Sequence, residues 1–379
     1  MNRPILLLAV LLGATASAAD ADPKDLCPAF GDKAITLVLT PIRNKHNVPA
    51  MAAAIVTSRG LEKIGAVGVR KAGNQVPVSL EDRWHIGSDT KAMTATLVAC
   101  LVEKGKLHWN SKPSQIFTNL SPAFHPQFKD LTLMHLLSHH AGLPANLNWS
   151  QFEKKGNLQE QRLAVVQEAL AKTPKSTPGN QYLYSNLGYV IAGAMVERVS
   201  GITWEEALRQ QVFQPLHMRS VAFGGLGTPG QIDQPWGHLK AGKAVSENGP
   251  GVDNPPVLGP AGRVNCTLQD WSLFIADQLR GLQDEPALLK PQSYQVLAKP
   301  PFGGDYALGW IAVEREWGGG KVLNHCGCNT MYFANAWLAP KKDFAILVCA
   351  NLGSDAFQPT DEAVAALIHY AQTLKNPTP

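Results

Sequence analysis

The sequence predicts an α/β (α+β) fold: one antiparallel sheet built from both ends of the chain and flanked by helices, with a mostly helical lobe inserted between. Two patterns carry this expectation. Short apolar runs bounded by turn residues occur near both ends, and a long stretch of helix-period segments and proline-rich loops separates them. The length, 379 residues, suits one large domain or two lobes sharing a core. The expected boundaries are residues 19–87 with 303–379 for a discontinuous sheet domain, and 88–302 for a helical domain.

Taken in order, residues 33–47 read as a helix. Residues 52–57 read as a buried strand, Ser58-Arg59-Gly60 as a turn, and 61–69 as a second strand, so this end of the sheet is hairpin-like and antiparallel. Trp84-His85-Ile86 reads as a strand end that turns sharply into a helix carrying Ser88 and Lys91. After Lys91 that helix is apolar nearly all round, the signature of a buried helix, and Gly105 is its stop. Residues 159–173 form an amphipathic helix, and a second apolar helix runs from Asn186 to about Gly201. Thr203-Trp204-Glu205-Glu206 is a capping box, and residues 267–281 form a further helix with Asp270 three residues after its cap. After Pro301, residues 306–313, 322–325, 331–338 and 344–349 read as successive strands of a meander, closed by a helix over 361–374.

The N-terminus carries one positive charge, an apolar run and an Ala16-Ser17-Ala18 site, which together make a secretory signal over residues 1–18. The run is too short to span a bilayer. The expectation is therefore a periplasmic or secreted protein with no stable membrane insertion after signal removal. Lysine plus arginine total 34 against 30 aspartate plus glutamate, too mild an excess to imply a nucleic-acid partner. Export permits disulfides among the 6 cysteines, but their pairing is not readable from sequence, nor is the oligomeric state. His139 and His140 are adjacent, so on a helix they point apart, and no third ligand follows at usable spacing. No metal and no cofactor are expected.

The chemistry resides in three motifs: Ser88-x-x-Lys91, Tyr184-Ser185-Asn186 and His325-Cys326-Gly327. Positions three apart share a helix face, so the Lys91 amine can sit beside the Ser88 hydroxyl. A serine is a weak nucleophile until a neighbour takes its proton, and an amine serves if its surroundings keep it partly neutral. Each motif alone is common; a structural protein carrying them by chance is the bland alternative.

In this order and setting the motifs resemble those of the serine β-lactamase and penicillin-binding-protein superfamily, most closely its class C β-lactamase-like branch. That branch also holds DD-peptidases, D-aminopeptidases and esterases. The likeness runs from about Ala52 to the last helix and includes Leu136-Leu137-Ser138-His139, Leu143-Pro144, Pro215-Leu216-His217-Met218 and Leu308-Gly309-Trp310. The resemblance implies a β-lactamase/transpeptidase-like fold and a small-molecule or peptide-like acyl substrate. It implies Ser88 as acylated nucleophile, Lys91 as the partner that deprotonates it and Tyr184 as proton relay to the leaving group. Asn186 would orient Lys91, and Asn146 would contact the acyl chain. His325 and Gly327 fall on the strand that usually carries Lys-Thr-Gly, and the backbone N–H groups of Ser88 and Cys328 would form an oxyanion hole. Histidine in place of that lysine supplies no fixed charge for a β-lactam carboxylate. The activity implied is hydrolysis of an ester or amide, a β-lactam amide included, through an acyl-enzyme on Ser88. A DD-peptidase, D-aminopeptidase or carboxylesterase is the enzymatic alternative, and a catalytically silent penicillin-binding sensor the other.

Overall fold

A computed structural model describes residues 28–375. The expected signal segment and Cys27 lie outside the described residues. Seven strands form one sheet: β1 (Ala29–Gly31), β2 (Ala50–Thr57) and β3 (Gly60–Gly68) from the start of the chain, and β7 (Ile311–Arg315), β8 (Gly320–Cys328), β9 (Phe333–Ala339) and β10 (Phe344–Ala350) from its end. Their order is β1-β3-β2-β10-β9-β8-β7, and every pairing is antiparallel. The two ends of the chain meet where β2 pairs with β10, from Ala345 opposite Val56 to Ala350 opposite Met51.

Both sheet faces are covered, so β2 and β10 are apolar at nearly every position instead of alternating apolar with polar. The period of two still sorts them. Ala345, Leu347 and Cys349 face the helical lobe, while Phe344, Ile346 and Val348 pack under α1 (Lys33–Lys45) and α8 (Phe357–Lys375). The inner face is built of small residues, Ala50, Ala52, Ala54, Ala334 and Ala336, which lets α7 (Leu268–Leu282) lie close to the sheet, while α2 (Thr90–Glu103) packs among the other helices of the lobe. Every residue of α2 from Thr90 to Leu101 is buried, as its all-round apolarity requires.

Around α2 stand α3 (Leu133–Leu137), α4 (Leu158–Ala171), α5 (Asn186–Ser200), the short α6 (Trp204–Leu208) and α7 (Leu268–Leu282). Ser185 caps α5, and Gly201, in the left-handed region at φ 78°, ends it. Buried Arg162 of α4 ties these helices together by pairing with Glu197 of α5 and Glu205 of α6.

Some elements differ from the sequence reading. Residues 306–310 form a tight turn, closed by Ala307 N–H to the Trp310 carbonyl, so the strand begins only at Ile311. The last helix begins at Phe357, a turn earlier than expected. Helix α3 stops at Leu137, and His139 takes a left-handed φ of 63°, so the histidine pair does not lie on a helix. A small second sheet joins β4 (Arg83–His85) and β5 (Ala222–Phe223) to β6 (Val264–Thr267). Its residues are too few to leave a periodic signal. Among the described residues the five cysteines are free thiols, and no helix is long and apolar enough to cross a membrane.

Candidate active site

Strand β4 delivers the chain to a 3-10 turn, Gly87–Asp89, that precedes α2. Ser88 therefore sits on that turn, not within the α-helix, and the three-residue spacing to Lys91 spans the junction. Gly87 is at φ +50°, and a Cβ there would lie 2.7 Å from the Cys328 nitrogen. A Cβ on Gly327 would lie 1.8 Å from the Ile86 carbonyl oxygen. Both glycines are required because the turn and the end of β8 touch backbone to backbone. That contact sets Ser88 beside Cys328.

Lys91 is fully buried, and its amine has three neighbours: Ser88 Oγ at 3.0 Å, Asn186 Oδ1 at 2.9 Å and the Ala261 carbonyl oxygen at 2.7 Å. Burial pushes the amine down to about 7, against the opposing pull of the Asp89 carboxyl. A neutral amine has two hydrogens and one lone pair. The two carbonyl-type oxygens can only accept, so they take the hydrogens, and the lone pair is left for the Ser88 hydroxyl. Asn186 Nδ2 donates to Asn146 Oδ1 at 2.9 Å, which fixes the Asn186 amide with its oxygen toward Lys91.

Tyr184, in the extended residue pair that enters α5, donates its hydroxyl to Ser88 Oγ at 2.9 Å. Burial raises the phenol above its usual range, so it is held protonated. Behind it stands His139, whose ring centroid is 4.3 Å from that of Tyr184. His139 Nδ1 accepts the Ser185 N–H at 3.1 Å, so this neutral ring carries its proton on Nε2.

The Ser88 hydroxyl opens onto a cleft of about 350 Å³, walled by Asn146, Asn186, Asn254, Leu258, Cys328 and Asn329 among others. None of the lining residues is charged. Gly327 and His325 are not among them. Gly327 acts by its lack of a side chain. His325 is buried: its Nδ1 donates to the Cys326 carbonyl at 2.8 Å, and its Nε2 accepts the Tyr306 hydroxyl at 3.0 Å. Burial, with Lys91 nearby, pushes this imidazole down to about 3, so it carries no charge at neutral pH. Sequence reasoning did not find Asn254, Asn329 or Tyr306, which carry no motif. It also did not find the buried Asp89, whose two carboxyl oxygens have no hydrogen-bond partner and whose carboxyl burial holds well above the carboxylate range.

A serine, a low-pKa lysine and a phenol within 3.0 Å of the serine oxygen are the parts of an acyl-transfer site. The chain belongs to the beta-lactamase family, whose match covers residues 35–370, nearly the whole described chain. Among curated proteins it is similar to protein flp of Staphylococcus aureus strain COL, 24% identical over 319 residues that are 82% of this chain and 61% of the relative. It is also similar to penicillin-binding protein 4 of Amycolatopsis lactamdurans, 28% identical over 249 residues, 62% of this chain and 60% of the relative. The chain thus spans about 60% of the length of these curated relatives. Among solved structures, the octameric penicillin-binding protein homologue from Pyrococcus abyssi superposes with a TM-score of 0.71 at 21% identity, over 89% of this chain and 77% of that one. SurE superposes with the same score at 23% identity, covering 89% of this chain and 75% of that one. These likenesses establish the fold, a sheet from both chain ends with an inserted helical lobe.

Proposed function

We propose that this protein is an exported serine hydrolase that cleaves uncharged esters or amides through an acyl-enzyme on Ser88. The observation that carries the reading is the lone pair of Lys91, aimed at the Ser88 hydroxyl by two carbonyl-type acceptors. In the acylation step Ser88 Oγ bonds to the substrate carbonyl carbon, and its proton passes to Lys91 Nζ. The carbonyl oxygen becomes an oxyanion facing the backbone N–H groups of Ser88 and Cys328; losing one such donor costs about 3–4 kcal/mol. The carbon–leaving-group bond then breaks, and the leaving atom takes the Tyr184 hydroxyl proton, which Lys91 ammonium restores. Water next attacks the acyl-enzyme carbonyl as Lys91 accepts its proton; the bond from that carbon to Ser88 Oγ then breaks, Lys91 returns the proton to Oγ, and the free acid leaves.

The preference for uncharged substrates follows from electrostatics. β-Lactams and peptides ending in D-alanine bring a free carboxylate. The cleft lining offers it no cation, and His325 is neutral and already bonded to Tyr306. A buried carboxylate without a partner is costly.

The test is a substrate panel: p-nitrophenyl acetate, nitrocefin, a D-Ala-D-Ala peptide and a D-amino acid amide, each on the wild type and on Ser88→Ala. The expected result is turnover fastest on the neutral ester, abolished by Ser88→Ala with the thermal transition unchanged. Near wild-type turnover in Ser88→Ala removes Ser88 as nucleophile. Turnover of nitrocefin above that of the ester refutes the substrate class, and stable labelling of Ser88 by penicillin without turnover identifies a sensor. Export is tested by N-terminal sequencing of the mature protein, with cleavage expected after Ala18.

A further inference from the structure

A buried hydrogen-bond hub lies behind the cleft, built from residues with no assigned role. Its centre is Asp253, on the loop before β6, with a side chain that has no exposed surface. Asp253 Oδ2 accepts His85 Nε2 at 2.9 Å and Arg263 Nε at 3.1 Å, and Oδ1 accepts Asn329 Nδ2 at 2.8 Å. These partners come from three separate walls of the cleft. His85 ends β4, three residues before the nucleophile. Asn329 follows Cys328 at the end of β8. Arg263 follows Gly262, which lines the cleft.

The two outer arms each hold an unusual backbone conformation. His85 Nδ1 accepts the Gly87 N–H at 3.1 Å, and Gly87 has a left-handed φ of +50°. Because Nδ1 accepts, the ring proton is on Nε2 and points at Asp253. Asn329 Oδ1 accepts the N–H groups of Met331, at 3.3 Å, and Tyr332, at 3.0 Å, and so closes the turn that contains Thr330. Thr330 has φ +77°, a strained conformation for a β-branched residue. Strain of this kind persists only where the surroundings over-determine it. Ser88 lies between Gly87 and the start of α2, and Cys328 lies two residues before Thr330. One carboxylate therefore fixes both turns that aim the Ser88 and Cys328 backbone N–H groups.

We propose that Asp253, acting through His85 on one side and Asn329 on the other, is a positioning residue that sets the spacing of the two oxyanion donors. The proposal rests on the Ser88 acyl-enzyme reading. Its physical logic is that oxyanion donors stabilise a charge present only in the tetrahedral state, so their alignment affects kcat and leaves ground-state binding nearly untouched. Neither Asp253 nor His85 lines the cleft, so neither need touch the substrate.

The experiment splits the His85 ring into its two contacts. His85→Asn puts an amide oxygen where Nδ1 stood and keeps the Gly87 bond. His85→Gln puts an amide N–H where Nε2 stood, keeping the Asp253 bond and losing Gly87. Asn329→Ser removes the other arm and serves also if a His85 variant does not fold. Each variant is assayed with p-nitrophenyl acetate for kcat and KM, and with an arylboronic acid, which forms a tetrahedral adduct on Ser88, for Ki. The expected result for His85→Gln and Asn329→Ser is kcat lower by about 10- to 100-fold, KM within about threefold, and the boronic acid weakened by the same factor as kcat. His85→Asn, which keeps the Gly87 bond but loses Asp253, lowers kcat by a comparable factor; activity within about threefold of wild type there shows the Gly87 bond acting without Asp253 and overturns the proposal. A lowered thermal transition with kcat unchanged, or a loss carried by KM alone, overturns the proposal and leaves a purely structural hub. Ser88→Ala in the same series separates the two readings: activity there refutes the nucleophile, whereas a dead Ser88→Ala beside a fully active His85→Gln refutes only the positioning role.

Discussion

Asn186→Asp tests the electrostatics of the lysine most directly. In the folded protein the Asn186 amide oxygen lies 2.9 Å from Lys91 Nζ and accepts one of its hydrogens while carrying no charge. The substitution keeps the shape and places a carboxylate at that distance. A carboxylate so close favours the ammonium and raises an amine pKa by about 1–3 units, or about 1.4–4 kcal/mol. Lys91 then moves from about 7 toward the range of 8–10. The neutral fraction at pH 7 falls from roughly one half by about 5- to 500-fold, and kcat/KM falls with it. Unlike the loss of a structural contact, this defect is reversible: raising the pH restores the base. The assay is kcat/KM for p-nitrophenyl acetate from pH 5 to 10, corrected for spontaneous hydrolysis. Wild type should show an acid limb near 7, and Asn186→Asp the same plateau reached about 1–3 pH units later. An acid limb that does not move, or a plateau that never recovers, would refute the assignment of Lys91 as the neutral base.

The remaining predictions concern charge elsewhere in the molecule. Arg162→Met leaves the Glu197 and Glu205 carboxylates facing each other without their shared cation, and should cost about 3–5 kcal/mol in denaturant unfolding while activity per folded molecule holds; a loss under 1 kcal/mol contradicts the role given to that triad. Asp89 is buried and kept protonated in the fold, whereas in the unfolded chain it ionises near pH 3.9. The unfolded state therefore binds fewer protons above that pH, and wild-type stability falls as pH rises toward the folded value. Asp89→Asn removes this slope, so its thermal transition should gain on wild type as pH rises from the unfolded value toward the folded one; a constant gap between the two proteins contradicts this. His325→Lys, which cannot accept the Tyr306 hydroxyl and brings a fixed cation, should raise the ratio of nitrocefin to p-nitrophenyl acetate turnover, and an unchanged ratio means residue 325 does not set that preference.

By itself the sequence determined the elements whose signals are local. The all-apolar run after Lys91 is a buried helix, the runs at 52–57 and 344–349 are interior strands, and the three-residue spacing brings serine and lysine together, across the junction of the 3-10 turn and α2. The motif order was enough to mark the family and to single out Ser88, Lys91, Tyr184, Asn186 and Asn146, which the fold brings into one hydrogen-bonded group. It could not set the orientation of His325, because Tyr306 reaches it from a turn that reads as strand. Nor could it expose Asp253, which meets His85 across 168 residues and Asn329 across 76. Only the tertiary structure decided the charge state of the lysine and the alignment of the two turns. Both depend on desolvation and on single polar contacts between distant segments, and such contacts leave no periodicity in the chain.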